Sequence, residues 1–210
     1  MTEIAETWFD RRLDEALWRA WLTMELDEGF RAEIIEAVED SGRIDVWPVG
    51  RYVHAKTANR LRDAMGGFLD GGGYAVYSCM NVIHGRRVWF PDGVLALEDD
   101  PEQATDDGIG IKAASVELIV EVVSPGRESV ERDRVRKCRA YARAGIPVYV
   151  LIDDHDHHGT VTVLTAPSPA EATYAAEHRV PYGTDAVIPE GPAKGFVISE
   201  AITGPPRSAT

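Results

Sequence analysis

The chain has 210 residues, 44% of them hydrophobic, and a formal net charge of −13 at pH 7. That length supports a sizeable core and, by default, one domain, and no apolar run is long enough to span a bilayer. The acidic balance excludes a protein that coats nucleic acid non-specifically, because a phosphate backbone would be repelled at long range.

The start, Met1-Thr2-Glu3, lacks the basic and apolar regions of a secretory signal, so a cytoplasmic location is expected. Leu13, Leu17, Trp21 and Met24 recur at helical spacing within Trp8 to Leu26. They predict an amphipathic opening helix, docked on the core or on a second copy. Phe30 to Ala37 and Ile44 to Val49 read as a hairpin through Glu39-Asp40-Ser41-Gly42, with Glu33 in its first strand. Val53, Leu61, Met65 and Phe68 predict a second helix over Arg51 to Leu69, which Gly71-Gly72-Gly73 ends. Tyr74 to Met80, Arg86 to Phe90 and Val94 to Leu97 are expected strands, the last two separated by Pro91-Asp92-Gly93. Glu98 to Gly110 is an acidic, turn-rich loop.

The next stretch organises the chain. Val116 to Val123 is a near-continuous apolar run, the pattern of a strand covered on both faces. Glu121 interrupts it, and a carboxylate there requires a cationic or hydrogen-bonding partner. A helix over Ser129 to Ala144 follows, with Val130, Val135, Cys138 and Ala142 on its buried stripe and Gly145 and Pro147 closing it. Lys137 falls on the flank of that stripe, one turn after Asp133 and one before Tyr141, so its amine could reach the preceding strand. Val148 to Asp153 is a second apolar strand, giving a βαβ unit. Arg127, Arg132, Arg134, Arg136, Arg139 and Arg143 crowd the same helix, which reads either as a solvated face or as a phosphate-facing strip.

Asp154-His155-Asp156-His157-His158-Gly159 reads as a polar hairpin turn into Thr160 to Leu164 rather than a metal site, because adjacent ligands on a turn lack a separated framework. Short strands at Ala186-Val187-Ile188 and Gly195 to Ile198 finish the sheet, and residues 204–210 are expected to fray. Cys79 and Cys138 lie in strand and helix patterns and read as buried free thiols. The whole is expected to be a single domain over 1–210, with 1–28 as an N-terminal helical extension.

The element order is the core order of the restriction-endonuclease-like fold: α/β, with a mixed central sheet flanked by helices, here with an added N-terminal helix and hairpin. Pro91-Asp92, then Glu121-Val122-Val123-Ser124-Pro125, then Asp133 with Lys137, then Tyr141 to Tyr149 ending at Asp153, resemble the Uma-type family. That family is described as restriction endonucleases within the PD-(D/E)xK nuclease superfamily, and the resemblance spans roughly Phe30 to Leu164. The superfamily's usual lysine would stand at Val123, two residues after the glutamate. The resemblance implies that the lysine has moved onto the helix, as Lys137.

Cleaving a phosphodiester requires an activated water, neutralised phosphate charge and a stabilised leaving oxygen, all of which a hard divalent cation can serve. The implied shell for Mg²⁺, or Mn²⁺, is Asp92, Glu121 and the backbone carbonyl of Val122. Lys137 would orient the attacking water or offset phosphate charge, and Glu33, His54 and Asp133 would flank the site. Each residue also has a plainer reading: Glu121 in a core ion pair with an arginine, Asp92 shaping a turn, Lys137 snorkelling to solvent. The implied partners are nucleic acid, DNA or RNA, and a second copy in a homodimer, with no membrane. A different class of function is a catalytically silent nuclease-like scaffold used for binding or assembly, which the acidic charge would suit.

Overall fold

A computed structural model describes residues 8–36, 42–48 and 50–207. The Glu39-Asp40-Ser41 part of the expected hairpin turn and residues 208–210 of the expected tail lie outside that range.

The opening helix α1 (Trp8–Thr23) precedes an antiparallel hairpin of β1 (Phe30–Glu36) and β2 (Gly42–Pro48), registered from Phe30 against Pro48 to Glu36 against Gly42. Helix α2 (Tyr52–Leu69) leads to β3 (Tyr74–Tyr77), a short hairpin of β4 (Val82–His84) and β5 (Arg87–Trp89), then β6 (Gly93–Leu97) and β7 (Ile111–Lys112). Strand β8 (Leu118–Val122) is followed by α3 (Arg127–Glu131), a π-helical turn (Arg132–Lys137) and α4 (Cys138–Arg143), and then by β9 (Val148–Asp153). Long strands β10 (Thr160–Ser168) and β11 (Thr173–Pro181), the short pair β12 (Ala186–Val187) and β13 (Val197–Ile198), and α5 (Glu200–Thr203) complete the chain.

Two sheets result, one in the order β11-β10-β9-β8-β6-β3 and one in the order β2-β1-β5-β4-β7, beside the β12–β13 pair. Within the larger sheet β8 and β9 run parallel, as the βαβ reading requires, and every other neighbouring pair is antiparallel. The fold is a mixed α/β one, with mixed sheets flanked by helices.

Strand β8 is buried throughout, and its period of two sorts its side chains between two cores. Leu118, Val120 and Val122 pack with Leu61 and Met65 of α2 and with Ile188, Ile198 and Ile202. Ile119 and Val123 pack with Trp89, Tyr141 and Tyr149. Glu121 shares the parity of the second set, so it points toward α4. A third cluster, Ile34, Ile83 and Val88, receives Trp18 and Trp21 from α1, and the Trp21 indole N–H donates to the Ala32 carbonyl at 2.9 Å. The opening helix is therefore docked on its own chain.

Several expectations change. The buried face of α2 is Thr57, Leu61, Met65 and Leu69, a strict four-residue repeat, which leaves Val53 and Phe68 half exposed. Val135 is also exposed, because the wider π turn rotates it off the stripe and turns Asp133 and Lys137 inward. Cys79 is not a buried strand residue: it lies exposed in the turn after β3 at φ +58°, and Cys138 is half-buried. Strand β11 escaped sequence reading because it is an edge strand with most of its side chains exposed, which blurs any alternation. The tail is held as far as Arg207, whose guanidinium donates to Asp154 at 2.7 Å and lies over the Tyr182 ring, while its N–H donates to the His158 carbonyl. Among the described residues no helix is long and apolar enough to cross a membrane.

Candidate active site

Strands β6 and β8 pair with Gly93 opposite Val120 and Val94 opposite Ile119. Continued by one residue, that register sets Asp92 opposite Glu121, so the two carboxylates meet across neighbouring strands. The backbone joins them. The Val122 N–H donates to Asp92 Oδ2 at 2.8 Å, whereas the Val123 N–H goes the other way, to the Ile152 carbonyl of β9. Since the amide and carbonyl of one strand residue point the same way, the Val122 carbonyl also faces the Asp92 side.

Glu121 finds the cation its position demands. Lys137 Nζ lies 2.9 Å from Glu121 Oε1 and 2.9 Å from Glu33 Oε1, and the Tyr141 hydroxyl donates to Glu121 Oε1 at 2.5 Å. Glu33 Oε1 also accepts the Phe90 N–H at 2.6 Å. Lys137, Glu121 and Glu33 are only 1%, 2% and 3% exposed. Lysine thus replaces the arginine partner considered from sequence, and Lys137 points inward, not to solvent. Val123, two residues after Glu121, is buried among apolar side chains.

Two carboxylates share one ammonium, and that imbalance sets the proton affinities. Burial raises Glu121 above the ordinary carboxylate range; Lys137 opposes the rise, and the charges of Asp133, Asp92 and Glu33 add to it. Burial alone would discharge Lys137, but Glu121 and Glu33 raise its pKa above that of an ordinary lysine. The ammonium therefore stays protonated and has no lone pair to offer as a base.

His54, from the first turns of α2, joins the other carboxylate. Its Nε2 lies 2.8 Å from Asp92 Oδ1, and its Nδ1 lies 3.3 Å from Ser124 Oγ. Burial of His54 opposes protonation, yet the hydrogen bond and charge of Asp92 outweigh it and raise the imidazole pKa. Burial would likewise raise Asp92, but His54 and the Val122 N–H hold it below its usual value. Asp133 is 0% exposed and lies behind the site, with both oxygens accepting from Arg132 Nε and Nη2 at 2.6 and 2.9 Å.

Asp92, Glu121, Lys137, Glu33 and His54 all border one cleft of about 480 Å³. The roles of Tyr141, Ser124 and Arg132 were not read from sequence, although Tyr141 lies one turn past Lys137, a spacing that brings both to Glu121. The basic helix is neither a solvated face nor a continuous phosphate strip, since Arg134 pairs with Asp153, Arg136 with Asp45 and Arg143 with Glu36.

Among the described residues no group of three or more His, Cys, Asp or Glu side chains is placed to hold a metal ion. What is present is an oxygen set of two facing carboxylates and one backbone carbonyl, and no hydrogen bond among the described residues reaches Glu121 Oε2. That donor set fits a hard cation that keeps several waters, as Mg²⁺ does, rather than one needing a full protein cage.

A family model with the description "Putative restriction endonuclease", Uma2, matches residues 19–199. Among solved structures, one titled a "putative nuclease belonging to DUF820", from Anabaena variabilis ATCC 29413, is similar with a TM-score of 0.63 at 15% identity. The match covers 89% of this chain and 96% of that one, and at this identity it shows a shared fold. No curated protein matches the chain.

Proposed function

Because the chain belongs to the Uma2 restriction-endonuclease family, we propose that it is a metal-dependent nuclease that hydrolyses phosphodiester bonds at the Asp92–Glu121–Lys137 site. The observation that carries this reading is the meeting in one cleft of the Glu121 carboxylate of β8, the Asp92 carboxylate just before β6 and the Lys137 ammonium, from segments far apart in sequence. Asp92, Glu121 and the Val122 carbonyl would hold Mg²⁺ or Mn²⁺, which when bound supplies an acidified water and charge neutralisation at phosphorus.

The protein's own groups do the rest. Lys137, kept cationic by Glu121 and Glu33, places a fixed positive charge where negative charge grows on the phosphate oxygens. Tyr141 and Lys137 lock the Glu121 rotamer, leaving one carboxylate oxygen for the cleft. His54 keeps Asp92 ionised and oriented through Oδ1.

The test uses Glu121→Gln, which preserves shape and leaves Lys137 paired with Glu33. The expected outcome is loss of Mg²⁺- or Mn²⁺-dependent cleavage by at least about a hundredfold, with unchanged thermal melting and weaker Mn²⁺ binding by calorimetry. Equal cleavage by that variant rejects the assignment. Absence of both cleavage and cation binding in the unmodified protein would instead favour the scaffold reading. The same proposal includes a homodimer: with Trp18 and Trp21 turned inward, exposed Leu22, Leu26 and Val46 are the apolar side chains a second copy would cover.

A further inference from the structure

The site groups lie at the bottom of their cleft, with Lys137 and Glu121 almost closed to solvent. The rim carries a different charge pattern. Arg132 commits its guanidinium to Asp133, but among the described residues neither Arg31 nor Arg51 has a carboxylate partner. Arg31, from β1, lies over the Phe90 ring at 4.0 Å, with Nη2 3.7 Å from Cys79 Sγ. Arg51 is exposed at the start of α2. Arg87, Arg134, Arg136 and Arg207, by contrast, each meet an aspartate. In a chain of net charge −13, two arginines left without carboxylates beside one cleft mark a place for an external anion.

From this we infer that the cleft takes a single unpaired strand of nucleic acid, with Arg31 and Arg51 holding backbone phosphates next to the one delivered to the floor. The cleft volume falls within the roughly 300–1,000 Å³ of small-ligand pockets, room for a nucleotide or two. A double helix is a stiff convex cylinder, and its phosphates would stop at the rim, above carboxylates that are 2–3% exposed. A single strand bends and can lower one phosphate between the walls. Phe90 and Trp47, aromatic rings of the kind on which unpaired bases stack, border the cleft, each with an arginine over one ring face. The inference rests on the nuclease reading for the chemistry at the floor, whereas binding at the rim can be measured without turnover.

The experiment is fluorescence anisotropy in EDTA. The full chain is titrated onto a fluorescein-labelled 12-nucleotide single strand and onto a blunt hairpin duplex of the same sequence, each as DNA and as RNA. The single strand is expected to bind at least about tenfold more tightly, with Arg31→Ala and Arg51→Ala each lowering the salt slope by about 0.7. Arg31→Lys should restore most of the loss, and Arg60→Ala, on α2 outside the cleft, should change nothing. Duplex binding as tight as single-strand binding, no binding of either, or an unchanged salt slope in both alanine variants overturns the inference. Metal-dependent duplex cleavage that Glu121→Gln abolishes would overturn it while leaving the nuclease reading intact. Arginine-dependent single-strand binding without cleavage would do the reverse.

Discussion

Asp92 and His54 show how one pair of side chains can link the site to folding. The Asp92 pKa is lowered from 3.8, so its contribution is present above that value and is lost as pH falls through the folded pKa. The His54 pKa is raised from 6.5, so its contribution is complete below that value and fades as pH rises through the folded pKa. Together they stabilise the fold most between 3.8 and 6.5. In the absence of metal, His54→Ala should cost about 1–3 kcal/mol near pH 5.5 and less above pH 8, read as the difference in urea midpoint between variant and parent. A pH-independent difference would mean that the two groups interact only by shape. Cys138 behaves differently: burial, then the charge of Glu177, push its thiol up to about 11, so it is packing rather than a nucleophile at neutral pH.

At the scale of elements, the π turn Arg132–Lys137 decides which side chains face the sheet. A regular helix would have kept Lys137 on the flank, as its spacing predicted, and Val135 inside. The extra residue in the turn buries Lys137 and aims Arg136 at β2, where its Nη1 meets Asp45 Oδ2 at 2.6 Å with both residues 7% exposed. This ion pair fastens the helix to the hairpin that supplies Glu33. Asp45→Ala should therefore destabilise the protein by about 3–5 kcal/mol, because it strands a buried guanidinium. Denaturant unfolding measures that loss, and a change under 1 kcal/mol would mean that solvent reaches Arg136. The π turn itself was not legible, since Arg132 to Lys137 carries no proline or glycine to mark an irregular helix.

Over the whole molecule, three apolar clusters divide the work: one beneath α2, one around Trp89 and Tyr141, and one under α1. The cleft opens where elements of the first two approach, bordered by His54 of α2 and by Glu121 and Lys137 on the Tyr141 side. The proposed second copy belongs to this scale. Sedimentation equilibrium should give twice the 23.1 kDa chain mass, and Leu22→Glu combined with Val46→Glu should return it to one. A single-chain mass for the unaltered protein at micromolar concentration would reject the homodimer.

The amino-acid order by itself determined the βαβ unit and the class of fold, because a doubly buried strand must be written as an apolar run and a parallel crossover needs a helix between strands. It also marked Glu121, since a charge in such a run demands a partner, while Asp92 and Lys137 were implied by the resemblance to the Uma-type family. Tertiary structure alone decided that Glu33 shares that lysine, that His54 clasps Asp92, and that Arg31 and Arg51 face the same cleft with no carboxylate partner among the described residues. Those side-chain contacts join residues 38 and 104 positions apart, and the π turn, the β6–β8 register and the packing of the hairpin on the helix set them. Local propensity says nothing about such distances, because side chains on different elements meet only after the sheets have closed around a common core.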